Sequence, residues 1–433
     1  METSTQSRPE LPTTGPSGPA PRRRRGGPFA VQAPAFVVAG AALLASQVWL
    51  VAGDALPGGR WLVVHMLTLG VLSPVVLVFS QHFAATLTRS AGEEPRWHAP
   101  AFALAAVGML VALPSGTTWL LGSAATAATG VVMAAWWRIR RMRRQAVGAR
   151  FGWVVRGYER AHGAFVHGAV LGALLGAFVL PGAWHASARL AHLHVMLLGW
   201  TGLTLLGTLV FFGPTMLRTR IVDGADGFAA RWLPHAATGL SVGVVALLLT
   251  ALPGNAGSAA RLVAALGLAL FATVATRVLW DVVEAALAAR PYAVRGPMLA
   301  GCGWLVLVLW ADVAVVATAA WQLLPTLGLL ALAGVFVPMV LATLTHLAPL
   351  LRAATMPGRD AVRTSLERHA ALRAGAYNTG VLVMVAAAVL GLGGADGTVL
   401  QRIGWLLLAG AVLHLLVAGM RPLPEQPVGD AGD

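Results

Sequence analysis

The stretch HLHVMLLGWTGLTLLGTLVFFGPTMLRTR runs from His192 to Arg220. It opens on two histidines, has no polar stripe that could face water, and closes on arginines. A second stretch, VVHMLTLGVLSPVVLVFSQHFAATLTR from Val63 to Arg89, has the same layout. Each supplies the roughly 20 apolar residues that a helix needs to cross a bilayer core. The rest of the chain agrees, with 433 residues of which 57% are hydrophobic and only 11% charged. So few charges cannot solvate that much apolar surface, and the chain reads as an all-α, polytopic membrane helix bundle.

Apolar runs place spans near 29–51, 62–88, 99–114, 117–137, 163–181 and 190–213, then 232–250, 258–283, 297–322, 325–349, 376–393 and 400–420, about 12 transmembrane helices in all. Residues 1–28, rich in Pro, Ser, Thr and Gly, and residues 421–433 read as disordered tails around the 29–420 bundle. The run after residue 28 is too long for a signal h-region and has no cleavage site, so it reads as the first span. Pro114-Ser115-Gly116, LPGNAG from Leu252 and GGADG from Gly393 read as tight turns between spans.

All 31 basic residues are arginine and the formal net charge is +14. Loops after even-numbered spans hold twenty arginines, eight of them between Arg138 and Arg160, and loops after odd-numbered spans hold four. Flanking positions of this kind point to lipid headgroups and orientation, not to nucleic acid. The bias predicts a multi-pass protein of the cell (cytoplasmic) membrane with both termini cytoplasmic. Cys302, the single cysteine, excludes an internal disulfide, a four-cysteine cluster and covalently attached c-type haem.

The two opening stretches echo one another. HMLTLG starts at His65 and HVMLLG at His194, 129 residues on, and an arginine follows each histidine after 24 residues, at Arg89 and Arg218. A third segment, Leu327 to Arg352, runs in the same direction, lacks the outer histidine and carries His346 near its inner end. The echo predicts a weak internal repeat.

The histidines fall into two layers. His65 and His82 are 17 residues apart, about 25 Å along a helix, too far to share one ion. The outer layer holds His65, His192 and His194, with His185 nearby. Imidazoles on two helices are an economical grip on haem b, and Gly70, Gly199 and Gly202 would admit a macrocycle or a neighbouring helix. Because His192 and His194 are two residues apart, a helix points them to different faces. The plain alternative is that these histidines hydrogen-bond across helices or sit in the interfacial zone. In the inner layer, His82, His167 and His346 would supply a copper or zinc site or a second haem, or would simply meet headgroups. His162, His235 and His414 share this layer, while His98 and His369 read as ordinary loop residues. Asp312, inside the ninth span, is open to proton relay, cation binding or a structural partner. Arg277, Asp281 and Glu284 read as a structural ion-pair group.

HMLTLG and the His192–Arg220 stretch resemble a group of bacterial, largely actinobacterial, membrane proteins distantly similar to the haem–copper oxidase core subunit, and the nitric-oxide-response haem- and copper-containing membrane proteins. The resemblance implies about twelve helices in a haem–copper oxidase core-like bundle and b-type haem on intramembrane histidines, with His65 and His194 at the motif positions and His192 as a neighbour. It covers the second and sixth spans, and the tenth weakly. The chain has no HH pair, and its tenth span offers only His346. The set for an oxygen-reducing centre is therefore incomplete, and terminal oxidase activity is not expected. Three functions follow. One is a haem-binding, copper-assisted redox protein in electron transfer or nitrogen-oxide or copper metabolism, with quinol, a cupredoxin or a reductase subunit as partner. The second is a transporter or permease lined by Asp312 and histidines. The third is a non-catalytic membrane partner of a reductase.

Overall fold

The computed structural model describes residues 40–46, 59–90, 96–146, 150–290, 293–353 and 355–421. All regular structure among them is helical. The long helices are α1 (Trp61–Leu87), α2 (His98–Ala112), α3 (Thr118–Gln145), α4 (Gly152–Gly176) and α5 (Gly182–Leu217). After these come α6 (Ala225–Leu249), α7 (Gly254–Ala288), α8 (Arg295–Thr318) and α9 (Trp321–Arg352, opening on a 3-10 turn). A short α10 (Met356–Glu367) precedes α11 (Ala370–Leu392) and α12 (Thr398–Met420).

Nine of these are long and apolar enough to cross a membrane, among the described residues, and α2 is a shorter apolar helix. The chain is thus an all-α, multi-pass membrane protein. Eleven of the twelve expected spans have a helix here, and the first enters the described residues only as the helical residues 40–46. The expected tails lie outside the described residues, Arg421 apart.

Several helices run past the expected spans, α5 starting at Gly182, α6 at Ala225 and α11 at Ala370, and two of the extensions carry ion pairs. The fifth expected span covers 163–181, yet α4 starts at Gly152, and α3 runs on to Gln145. Hydropathy detects only the lipid-facing part of a helix. The polar continuation is held by ion pairs, Arg143 with Glu159 between α3 and α4, and Arg150 with Asp226 at 2.7 Å. Arginines at the end of α3 also complement the negative end of its dipole.

Burial separates centre from rim. Of the most apolar window, 78% is buried in α1 and in α5 and 72% in α9, against 22% in α11 and 33% in α12. The two echoing helices and the third segment therefore form the middle of the bundle. Turns are made where a left-handed residue is available, as at Gly116 (φ 68°) after Pro114 and at Gly254 (φ 64°) after Pro253.

Helix contact uses small residues, as expected where lipid removes the hydrophobic drive between helices. Gly239 and Gly243 on α6 face Gly267 on α7 so closely that a Cβ on Gly267 would stand 2.4 Å from the Gly239 carbonyl oxygen and 2.9 Å from the Gly243 nitrogen. Backbone cannot yield as a side-chain tip can. Gly267→Ala is expected to destabilise the bundle by about 1–3 kcal/mol, seen as a lower unfolding temperature in detergent. An unchanged temperature would show that α6 and α7 separate freely.

Candidate functional site

Each of the three central helices is interrupted by a π-helical segment, Met66–Leu72 in α1, Val195–Gly202 in α5 and Ala331–Phe336 in α9. Such segments loosen the backbone ladder and often accompany functional positions. Their carbonyls and flanks recruit side chains: Tyr377 on α11 donates to the Ala333 carbonyl at 2.6 Å, and the Trp200 indole donates to Ser73 Oγ at 3.1 Å, tying the π segment of α5 to the end of that in α1.

The register reproduces the sequence echo. His65 is the last residue before the first π segment and His194 the last before the second. Arg89 and Arg218, 24 residues on, both adopt left-handed backbone, at φ 52° and 56°. The position before the third π segment is Leu330, so the third copy has kept the distortion and not the imidazole.

His194 and Asp312 meet at the centre of the site. The His194 ring is 2% exposed and Asp312 8%. His194 Nδ1 lies 2.7 Å from the Leu190 carbonyl, which can only accept, so this nitrogen carries a proton. Nε2 stands 3.1 Å from both Asp312 carboxylate oxygens. Either Nε2–H donates to a carboxylate, or the protonated acid donates to Nε2. Both descriptions have one proton shared between the groups and no net charge, which is how a carboxylate can be tolerated among apolar helices.

His65 and His192 are held in the same way, each by a backbone carbonyl. His65 Nδ1 donates to the Trp61 carbonyl at 2.8 Å, and the ring stacks on Trp61 at 4.0 Å. His192 Nδ1 donates to the Gly168 carbonyl of α4 at 2.8 Å. Its ring rests on Gly172, where an added Cβ would meet Cε1 at 2.9 Å. Both tautomers leave Nε2 with a lone pair, and neither Nε2 makes a hydrogen bond among the described residues. Thus His192 and His194 do point to different faces, His192 to α4 and His194 to α8, and His192 shares with His65 a ring whose Nδ1 is held by a backbone carbonyl.

The glycines read as room for a macrocycle or for a helix serve the helix in two cases. A Cβ on Gly70 would meet Ala42 Cβ at 2.5 Å, and one on Gly199 would meet Ala164 Cβ at 2.8 Å. The third, Gly202, faces the Leu197 carbonyl and Phe271.

His167 Nδ1 donates to the Gly163 carbonyl at 2.8 Å, His82 packs near Phe83, and His346 stands edge-on to Phe212 at 5.5 Å. Among the described residues no three His, Cys, Asp or Glu side chains are placed to hold a metal ion, and His82, His167 and His346 are not brought together as such a set. His98, read as an ordinary loop residue, is instead the buried first residue of α2. Its Nδ1 donates to Gln81 Oε1 at 2.9 Å, the amide being oriented by its own bond to the Leu77 carbonyl. Arg277 pairs with Asp281 as its spacing predicts. Asp312 was recognised as a costly residue, but no local signal named His194, 118 positions away, as its partner.

No protein-family model matches this chain, and no curated protein sequence matches it significantly. Fold and site therefore define the class, a polytopic all-α membrane helix bundle built around three π-interrupted helices, with a buried His–Asp pair at its centre.

Proposed function

We propose that the protein is a multi-pass transporter or permease in which the His194–Asp312 pair takes up and releases a proton. The single observation behind this reading is the position of Asp312, with both oxygens 3.1 Å from His194 Nε2 inside the spanning region. Loss of the shared proton leaves a carboxylate beside a neutral imidazole, and gain of a second leaves an imidazolium beside a neutral acid. Either change puts a net charge on the contact between α5 and α8, so protonation is coupled to how these helices meet. The π segment that begins directly after His194 gives α5 a place to change register. The arginine bias supports placing the arginine-rich face at the cytoplasmic side of the cell membrane.

The test is proton movement in liposomes containing the protein, a trapped pH-sensitive dye and a valinomycin-set potassium diffusion potential. Proton uptake above that of empty liposomes supports the reading. Uptake equal to empty liposomes across the accessible pH range, in protein that remains folded, removes it.

A second reading is favoured by one specific observation, the matched tautomers of His65 and His192. A backbone carbonyl fixes the proton on Nδ1 and turns Nε2 into a ligand, the usual support for a metal-bound imidazole. On this reading His65 and His192 would hold haem b, which when bound supplies one-electron transfer. His194 would then keep its partnership with Asp312.

A further inference from the structure

We propose that four arginines on one flank of the α3–α4 hairpin, Arg140, Arg144, Arg156 and Arg160, form a defined site for the headgroup of an anionic phospholipid. The two helices are antiparallel. Their contacts run in opposite chain order, Arg143 with Glu159, Trp136 against Gly163 and Leu121 against Gly176. The Arg143–Glu159 ion pair marks the faces that the helices turn to one another. Arg140 stands three residues before Arg143 and Arg144 one after it, while Arg156 and Arg160 hold the same places around Glu159. With 3.6 residues per turn, both offsets rotate a side chain about 60–100° from the contact in the same sense. In an antiparallel pair that sense leads to the same side on each helix, so all four arginines emerge on one flank. All four are exposed. None makes a hydrogen bond or ion pair among the described residues, and the carboxylates that reach this hairpin, Glu159 and Asp226, are held by Arg143 and Arg150.

Depth decides the partner. Trp119 and Trp137 on α3 are 74% and 65% exposed. They are 18 residues apart, which is about five turns, so they share one face and are separated by about 27 Å. That is close to the roughly 30 Å of a hydrocarbon core, with a tryptophan at each interface. Met133, also exposed, continues the apolar face between them. Arg141 lies one turn past Trp137 with its Cζ 5.7 Å over the indole ring. Arg140 is level with it, and Arg144 is a turn further on. The four-arginine flank therefore begins where the headgroups begin, and the anion at that depth is a phosphodiester. Guanidinium N–H donors match phosphate oxygens in pairs, and clustered basic residues beside a span attract anionic lipid.

The experiment uses the full chain, delipidated in a neutral detergent. Phosphatidylglycerol and phosphatidylcholine with identical tails are titrated separately, and bound lipid is counted by native mass spectrometry. Phosphatidylglycerol should be retained in preference to phosphatidylcholine. Arg140→Gln, Arg144→Gln, Arg156→Gln and Arg160→Gln should each weaken its binding about fivefold, and the quadruple variant should lose the preference. Arg231→Gln, at an exposed arginine on α6, should leave it unchanged. Equal retention of the two lipids overturns the proposal, as does a loss in Arg231→Gln as large as in the flank variants. Capture of polyglutamate without any preference for phosphatidylglycerol would assign the flank to an acidic soluble partner and overturn it too.

Discussion

Asp312→Asn is expected to lower proton uptake into liposomes by roughly tenfold or more while leaving the protein folded, because the amide can still face His194 but can neither release nor accept a proton. Asp312→Ala should be more severe. It leaves the buried His194 Nε2 opposite a cavity, and removing one member of a buried pair costs about 3–5 kcal/mol in soluble proteins. Neutral hydrogen bonds between membrane helices average only about 0.6 kcal/mol, so the asparagine variant should sit near the lower figure and the alanine variant towards the higher. Thermal unfolding in detergent separates the two effects. If Asp312→Asn conducts protons as the wild type does, the pair is only a structural cross-link between α5 and α8. His194→Gln gives the reciprocal check, since it retains a polar side chain and removes the imidazole.

A reduced-minus-oxidised visible spectrum, with a pyridine haemochrome assay, is expected to divide the three outer histidines differently from their order in the sequence. If haem b is bound, His65→Ala and His192→Ala should each remove it, while His194→Ala should keep it and lose the proton phenotype instead. The reason is geometric. His194 has both ring nitrogens engaged by Leu190 and Asp312, whereas His65 and His192 each have Nδ1 on a carbonyl and a lone pair on Nε2. Haem retained in His192→Ala and lost in His194→Ala would restore the pairing that the sequence echo favours. It would also require the His194–Asp312 contact to break on loading. Protein without haem after expression with adequate haem supply would leave the proton reading alone.

The spans were legible because each is a run of apolar residues bounded by arginine or turn residues, and lipid obliges such a run to be helical. The echo between His65 and His194 was legible too, in a motif of six residues and an arginine at a fixed distance. Its physical content, a π segment starting directly after each histidine, was not, since one extra residue in a turn of backbone leaves no mark in an all-apolar sequence. The extension of α4 back to Gly152 was missed for a related reason, the helix continuing where hydropathy ends.

The sequence by itself determined the multi-pass helical class, the places of the spans, the echo between His65 and His194 and the costliness of Asp312. Only the tertiary structure decided which polar groups meet. His192 turns to the Gly168 carbonyl and His194 to Asp312, and the choice depends on the rotation of α5 about its own axis. In a soluble helix a polar stripe would fix that rotation. A helix apolar on all sides carries no such stripe, so its rotation is set by close packing with its neighbours: Gly199 on Ala164 and Gly172 beneath the His192 ring.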